Sequence, residues 1–115
     1  MRKITRELRI VERARNKYVR GMLYLVILAS LRNKEMSGYD MIGLIHKTFD
    51  LLLSAGTFYP ILKSMEQEGL IRRTRSGGKR LYRLTEKGKS LYQSLLLEYE
   101  KIVSKFSFLC HSDSR

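Results

Sequence analysis

A mainly α fold carrying one small β-hairpin is predicted by three features of the sequence. Apolar residues recur at helical spacing in successive stretches up to Glu68. Two short segments rich in β-formers, Leu70–Arg75 and Arg80–Leu84, then flank Ser76-Gly77-Gly78-Lys79, the composition of a hairpin turn. A heptad pattern follows in the last quarter of the chain. Three core helices, a hairpin and a trailing helix stand in the order of a winged helix-turn-helix, with added N-terminal and C-terminal dimerisation helices.

Each element has a local reason. Ile4, Leu8, Val11 and Tyr18 repeat at helical intervals with arginines filling the other side, which predicts an amphipathic leading helix interrupted at Gly21. Met22 to Leu31 is apolar on nearly every face and reads as a buried helix. Asn33-Lys34-Glu35-Met36 reads as a connector. Ser37, with Asp40 three places on, resembles a capping box and opens a helix carrying Tyr39, Met41, Ile42, Leu44, Ile45 and Phe49. Ser54 opens the next, with Phe58, Ile61, Leu62 and Met65 on one side and Gly56, Tyr59, Pro60, Lys63 and Gln67 on the other. Pro60 requires either a helix that begins near Thr57, placing it in the first turn, or a bent start. Gly69 is suited to the left-handed position that ends a helix. Thr85 caps the trailing helix, whose Tyr92, Leu95, Tyr99, Ile102, Phe106 and Leu109 step by 3, 4, 3, 4 and 3.

The expected organisation is a basic helix at 1–17, the winged helix-turn-helix at 18–84, a dimerisation helix at 85–109 and a frayed tail at 110–115. The chain has 115 residues, with 23 Lys and Arg against 11 Asp and Glu, a net charge of +12. So large a charge on so small a body costs self-repulsion and points to a polyanionic partner. Its distribution is uneven. Arg2, Lys3, Arg6, Arg9, Arg13, Arg15, Lys17 and Arg20 crowd the first twenty residues, opposed by Glu7 and Glu12. Arg72, Arg73, Arg75, Lys79, Arg80 and Arg83 form a second block with no acid among them. Segregated cations suit phosphate binding, which releases condensed counterions; a solvated helix face is an equal reading of the first block.

On this reading the third core helix enters the major groove of double-stranded DNA. Its Gly56 allows close backbone approach, its Gln67 amide and Lys63 ammonium suit hydrogen bonds, Lys63 to a phosphate rather than a base, and its Tyr59 is placed to contact DNA. The competing role for Tyr59 is a half-buried aromatic at the rim of the core. The hairpin cations would straddle the backbone or enter a narrowed minor groove. Tyr82 and Leu84 share a face that packs inward, which turns Arg80 partly the same way. The trailing heptad needs a partner helix, because burying a large apolar side chain is worth ~1.5–3 kcal/mol. Homodimerisation supplies one; folding back on its own domain is the other possibility.

The segments Arg20-Gly21-Met22-Leu23, Ser37-Gly38-Tyr39-Asp40, Gly56-Thr57-Phe58-Tyr59-Pro60-Ile61-Leu62, Glu66-Gln67-Glu68-Gly69-Leu70-Ile71 and Arg80-Leu81-Tyr82-Arg83-Leu84-Thr85-Glu86-Lys87-Gly88 together resemble the PadR family of transcriptional regulators. The likeness runs from about Tyr18 to Gly88. It implies a prokaryotic winged-helix repressor of the short form, dimeric through a single C-terminal helix, with Tyr39, Thr57, Tyr59 and the hairpin cations at positions that touch DNA. The candidate DNA-contacting residues are thus Ser37 and Tyr39 of the second core helix; Ser54, Gly56, Thr57, Tyr59 and Lys63 of the third; and Arg73, Arg75, Lys79 and Arg80 of the wing. The candidate dimer residues are Ile4, Leu8 and Val11 in the leading helix and the six heptad positions. Two departures stand out. There is no Trp, so a paired-tryptophan drug pore is not implied, and a small-molecule effector is left open. The leading helix is longer and more basic than the family pattern; it extends the dimer interface, grips DNA beyond the core site, or does both.

Little supports catalysis. His46, His111 and Cys110 make no nucleophile–base set, and Cys110-His111 lacks the second ligand pair a structural zinc requires. Gly77-Gly78 is too short to cradle phosphates. No enzyme activity, metal or cofactor is expected. One cysteine excludes an internal disulfide, and Met1 to Arg20 is basic without the apolar stretch that a secretory signal needs. The longest apolar run, Met22 to Ser30, falls short of the ~18–20 residues that span a bilayer. A cytoplasmic location follows as an expectation. An assembly module that docks proteins, or a nonspecific architectural nucleic-acid binder, are the rival functions.

Overall fold

The structure, a computed structural model, describes residues 2–112, with side chains from Ile4 onward. The element order is α1 (Arg2–Gly21), α2 (Leu23–Ser30), α3 (Gly38–Phe49), α4 (Ala55–Gln67), β1 (Ile71–Ser76), β2 (Lys79–Leu84) and α5 (Glu86–His111). This is the expected mainly helical chain with one antiparallel hairpin.

The core is built where α2, α3, α4 and the hairpin meet. Ile27 and Leu28 of α2, Met41 and Ile45 of α3, and Phe58, Leu62 and Met65 of α4 are sealed from solvent. Ile71, Tyr82 and Leu84 of the hairpin close one side. Helix α2 is apolar all round because it is enclosed: Leu23, Ile27 and Leu28 enter this core, while Leu25, Val26 and Ala29 line a groove with α3 and α5. Leading helix α1 is anchored differently from the expectation. Val19 is buried and Tyr18 is exposed, and Arg15 pairs with Asp50 at 3.8 Å. Its helical run continues through Gly21, past the expected boundary at residue 17, and the break falls at Met22.

The caps follow the sequence. Ser37 Oγ accepts from the Asp40 amide at 3.0 Å while Asp40 Oδ2 accepts from the Ser37 amide at 3.4 Å, completing the capping box. Ser54 Oγ accepts from the Thr57 amide at 3.1 Å, so α4 begins at Ala55 and not near Thr57. Pro60 therefore lies inside the helix, where its ring replaces the amide that would have bonded the Gly56 carbonyl. Gly69 takes φ +78° directly after the last turn of α4.

The strands pair from Ile71↔Leu84 to Ser76↔Lys79, which leaves a two-residue turn of Gly77 and Gly78. Both glycines have positive φ (56° and 80°), as the tight primed hairpin turns require. Ser76 and Lys79 thus belong to the strands and not to the turn. Met36 is no mere connector residue. It is buried and pairs with Tyr82 through two backbone hydrogen bonds, Tyr82 N–H to the Met36 carbonyl (2.8 Å) and Met36 N–H to the Tyr82 carbonyl (3.2 Å).

Helix α5 grows from a knot at Thr85. The hydroxyl donates to the Gly69 carbonyl at 2.6 Å and accepts from the Gly88 amide at 3.0 Å, joining the end of α4 to the start of α5. Gly88 is buried, and a Cβ there would overlap the Leu70 carbonyl oxygen. The helix runs to His111, so Cys110 and His111 are helical and exposed instead of forming a frayed tail; residues 113–115 lie outside those described. The heptad divides. Tyr92 and Leu95 pack on this chain's own core, so folding back describes the first half of α5, whereas Tyr99, Ile102, Phe106 and Leu109 are exposed.

Gly88→Ala is expected to lower stability by about 1–3 kcal/mol, because the added methyl must push α5 off the Leu70 backbone that leads into β1. Thermal unfolding followed by circular dichroism checks this, and an unchanged midpoint would show that the contact has slack.

Candidate nucleic-acid interface

The side chains that could meet a phosphate backbone are gathered by the inner face of the hairpin. Alternation places Ile71, Arg73 and Arg75 of β1 on the same side as Arg80, Tyr82 and Leu84 of β2. Near the base this face is apolar and buried on the helices. Toward the turn it becomes cationic and overhangs α4. Arg80 lines the space between Tyr59, Lys63 and Tyr82, in line with the inward turn expected from the burial of Tyr82 and Leu84.

Two adjoining recesses result, of about 560 and 580 Å³. The first is lined by Ser37, Tyr39, Asp40, Tyr59, Arg75, Lys79 and Arg80. The second is lined by Tyr59, Lys63, Glu66, Gln67, Arg73, Arg80 and Tyr82. Tyr59 and Arg80 belong to both. The structure thus brings together Ser37, Tyr39, Tyr59, Lys63 and the four wing cations Arg73, Arg75, Lys79 and Arg80. Ser54, Gly56 and Thr57 are not in either recess; they lie on the first turn of α4, with Ser54 Oγ donating to Thr57 Oγ1 at 3.0 Å.

Tyr59 is half-buried at the rim of the core and also lines both recesses. Its ring meets Tyr39 edge-on at 5.8 Å and Phe58 at 6.4 Å, and it lies over Gly38, where a Cβ would collide with the ring and hydroxyl. Gly38 is therefore required by a close approach and not by its dihedral angles. Burial, and then the neighbouring Tyr82 and Tyr39, hold the Tyr59 phenol above its ordinary pKa, with Arg80 acting the other way. The hydroxyl stays protonated at neutral pH and can donate. Tyr39 is 70% exposed and stands free to reach outward.

The charges are not equivalent. Arg75 is opposite Arg80 and Arg72 opposite Arg83 in register, so the hairpin sets like charges against each other, an arrangement that an anion would relieve. Arg73 differs: its Nε donates to Glu66 Oε2 at 2.7 Å, tying the wing to α4. That hydrogen bond holds the Arg73 guanidinium more firmly protonated than usual. Sequence reasoning missed this partner, since Glu66 and Arg73 sit on different elements and nothing in their spacing marks a pair. It also missed Asp40 in the lining, because the residue was accounted for by the cap.

Among the described residues no group of His, Cys, Asp or Glu gathers to hold a metal, and no helix is long and apolar enough to cross a membrane. The site has the chemistry of polyanion recognition: convergent guanidinium and ammonium groups, three phenols and an amide, with the carboxylates of Asp40 and Glu66 engaged by the α3 cap and by Arg73.

Comparison with known proteins agrees. Residues 27–94, more than half of the chain, match the family model described as the transcriptional regulator PadR-like family. No curated protein matches significantly. Among solved structures, a transcriptional regulator from Clostridium thermocellum is 26% identical, covering 78% of this chain and 94% of its own, with a TM-score of 0.67. A PadR family regulator from Eggerthella lenta shares the fold over 95% of this chain and 99% of its own, at 20% identity and a TM-score of 0.79. PadR of Bacillus subtilis in complex with operator DNA is 32% identical over 65% of this chain and 46% of its own, with a TM-score of 0.56. The chain is a member of the PadR-like family of transcriptional regulators, a DNA-binding winged-helix protein and not an enzyme.

Proposed function

We propose that this protein is a dimeric, sequence-specific regulator, a repressor, that binds a pseudo-palindromic operator through α4 and the hairpin. The observation that carries the reading is the convergence of Tyr39, Tyr59, Lys63, Arg75, Lys79 and Arg80 around one cleft between reader helix and wing. Exposed Gly56 and Thr57 on the first turn of α4 suit a helix whose early residues approach base edges. The cations position the protein on phosphates, and the α4 side chains read sequence. Bacillus subtilis PadR bound to operator DNA supports the assignment by likeness. The protein works at the nucleoid, in a prokaryotic cytoplasm.

The dimer is supported by what the monomer leaves uncovered. Ile4, Leu8 and Val11 are 58–61% exposed, and Ile102, Phe106 and Leu109 are 49–67% exposed. Each large apolar side chain buried is worth ~1.5–3 kcal/mol, enough collectively to drive association. A two-fold pair places two reader helices about one DNA turn apart, ~34 Å, which matches a site with inverted halves.

Selection of genomic fragments retained by the purified protein, followed by competition against random duplex, tests the reading. Specific binding should exceed random by about 10³-fold or more; equal affinities would make the protein an architectural binder. Lys79→Glu with Arg80→Glu should abolish retention while the dimer persists in sedimentation, and unchanged retention would remove the wing from the contact surface. Tyr99→Asp with Ile102→Asp should yield monomers; a surviving dimer would place the interface elsewhere. Glu66→Gln should release Arg73 toward phosphate and steepen the salt dependence of random-duplex binding by about 0.9 in log K per log salt, one more counterion displaced. A slope unchanged by that variant would mean that Arg73 stays with the wing.

A further inference from the structure

The cleft leaves the first block of cations without a role. In α1 these cations are not spread around the helix. At about 100° per residue, Arg6, Arg9, Arg13, Lys17 and Arg20 fall within an arc of about 80°, and neither Glu7 nor Glu12 lies within it. Ile4, Leu8 and Val11 lie on the opposite side. All five cations are exposed, and among the described residues none is in an ion pair. The exception is informative. Arg15 lies on the apolar side, and it is the cation that α1 uses internally, against Asp50. Structural need is thus met off the stripe, and the stripe itself is left over.

We infer that the cationic stripe of α1 is a second phosphate-tracking surface that holds duplex DNA outside the cleft formed by α4 and the wing. The inference rests on the proposed DNA-binding function and extends its footprint. From Arg6 to Arg20 the stripe is about 21 Å long at 1.5 Å rise per residue. That is the axial length of about six base pairs, and because each strand winds away around the duplex over such a length, the straight stripe meets a few phosphates on the face turned toward it. The stripe carries no amide or aromatic side chain that could read a base edge, so the contact is indifferent to sequence. Because the apolar side is diametrically opposite, a dimer partner can cover Ile4, Leu8 and Val11 without covering the stripe. A membrane surface fits less well. The apolar side holds no Phe or Trp and is interrupted by Arg15, which is committed to Asp50, so it offers little apolar surface to bury among acyl chains.

The test compares full-length wild type, Arg9→Gln with Arg13→Gln and Arg20→Gln, and Lys79→Gln with Arg80→Gln. Each is titrated against random-sequence duplex of about four helical turns between 50 and 200 mM salt, followed by anisotropy. Glutamine is a good helix former, so α1 persists, which circular dichroism verifies. The α1 triple variant should lower the salt slope by about 2.7, and the affinity at 0.1 M by on the order of 10²-fold. The corresponding Arg→Lys triple should keep the slope. If the α1 variant matches wild type while the wing variant weakens, the stripe is not a DNA contact and the proposed function survives. If the wing variant alone is without effect, the proposed function of the wing fails and the stripe stands as the DNA contact. Wild-type slope in the α1 variant, together with lost binding to phosphatidylcholine vesicles containing phosphatidylserine, would overturn the inference in favour of a membrane.

Discussion

The two backbone hydrogen bonds between Met36 and Tyr82 fix the geometry on which the interface depends. A two-stranded hairpin standing alone is marginally stable in water. Here it gains, in effect, one residue of a third strand at the entry to α3. The pairing sets the distance between the start of α3 and the wing, and Tyr39 and Tyr59 occupy the space so defined. Tyr82 also turns its ring into the core beneath that joint, so the hydrogen bonds are shielded from water and the wing cannot peel away without opening the core.

Electrostatics makes this anchoring necessary. Setting Arg75 against Arg80 and Arg72 against Arg83 disfavours the strand pairing in the absence of an anion. The opposing contributions are local: a glycine turn with both φ positive, burial of Ile71, Tyr82 and Leu84 at the base, and the Arg73–Glu66 bond midway. The apolar half of the hairpin thereby stabilises the charged half, and the transition occurs within a single face of the same two strands.

Much of this was legible because the signals are local. Ser37 with Asp40, Ser54, Gly69, Thr85 and the Gly77-Gly78 pair each announce a cap or a turn through one residue's own stereochemistry, and each stands where those residues placed it. The candidate site was legible to the extent that helix periodicity put Tyr59 and Lys63 on one side of α4. What escaped were the relations between elements. A single residue such as Met36 shows no alternation to mark it as strand. The helical wheel assigned Tyr18 to the apolar side, but α1 touches the domain mainly at its end, where Val19 faces inward. Tyr92 and Leu95 continue the heptad without interruption and pack on the core, Tyr99 lies at the edge of the groove formed with α2 and α3, and from Ile102 onward the seam faces outward.

The shape of the molecule bears on the same division. A compact chain of this length has a radius of gyration near 13 Å, whereas this one measures 17.0 Å with extents of 54 × 35 × 21 Å. The excess comes from α1 and the far half of α5, the two segments that hold most of the exposed large apolar side chains. A helix that leaves the body of its domain with an apolar side and a charged side loses hydrophobic burial and gains reach. For α5 the exposed seam is the surface that the proposed dimer would cover. For α1 the apolar and cationic sides are opposite each other, so one helix can serve a protein surface on one side and a polyanion on the other. A net charge of +12 on a body this small repels a second copy of itself. In the proposed dimer, binding DNA along these faces would neutralise the charge that opposes pairing and so would couple the two associations: phosphates would strengthen the dimer, and by linkage the dimer would strengthen the grip on phosphates.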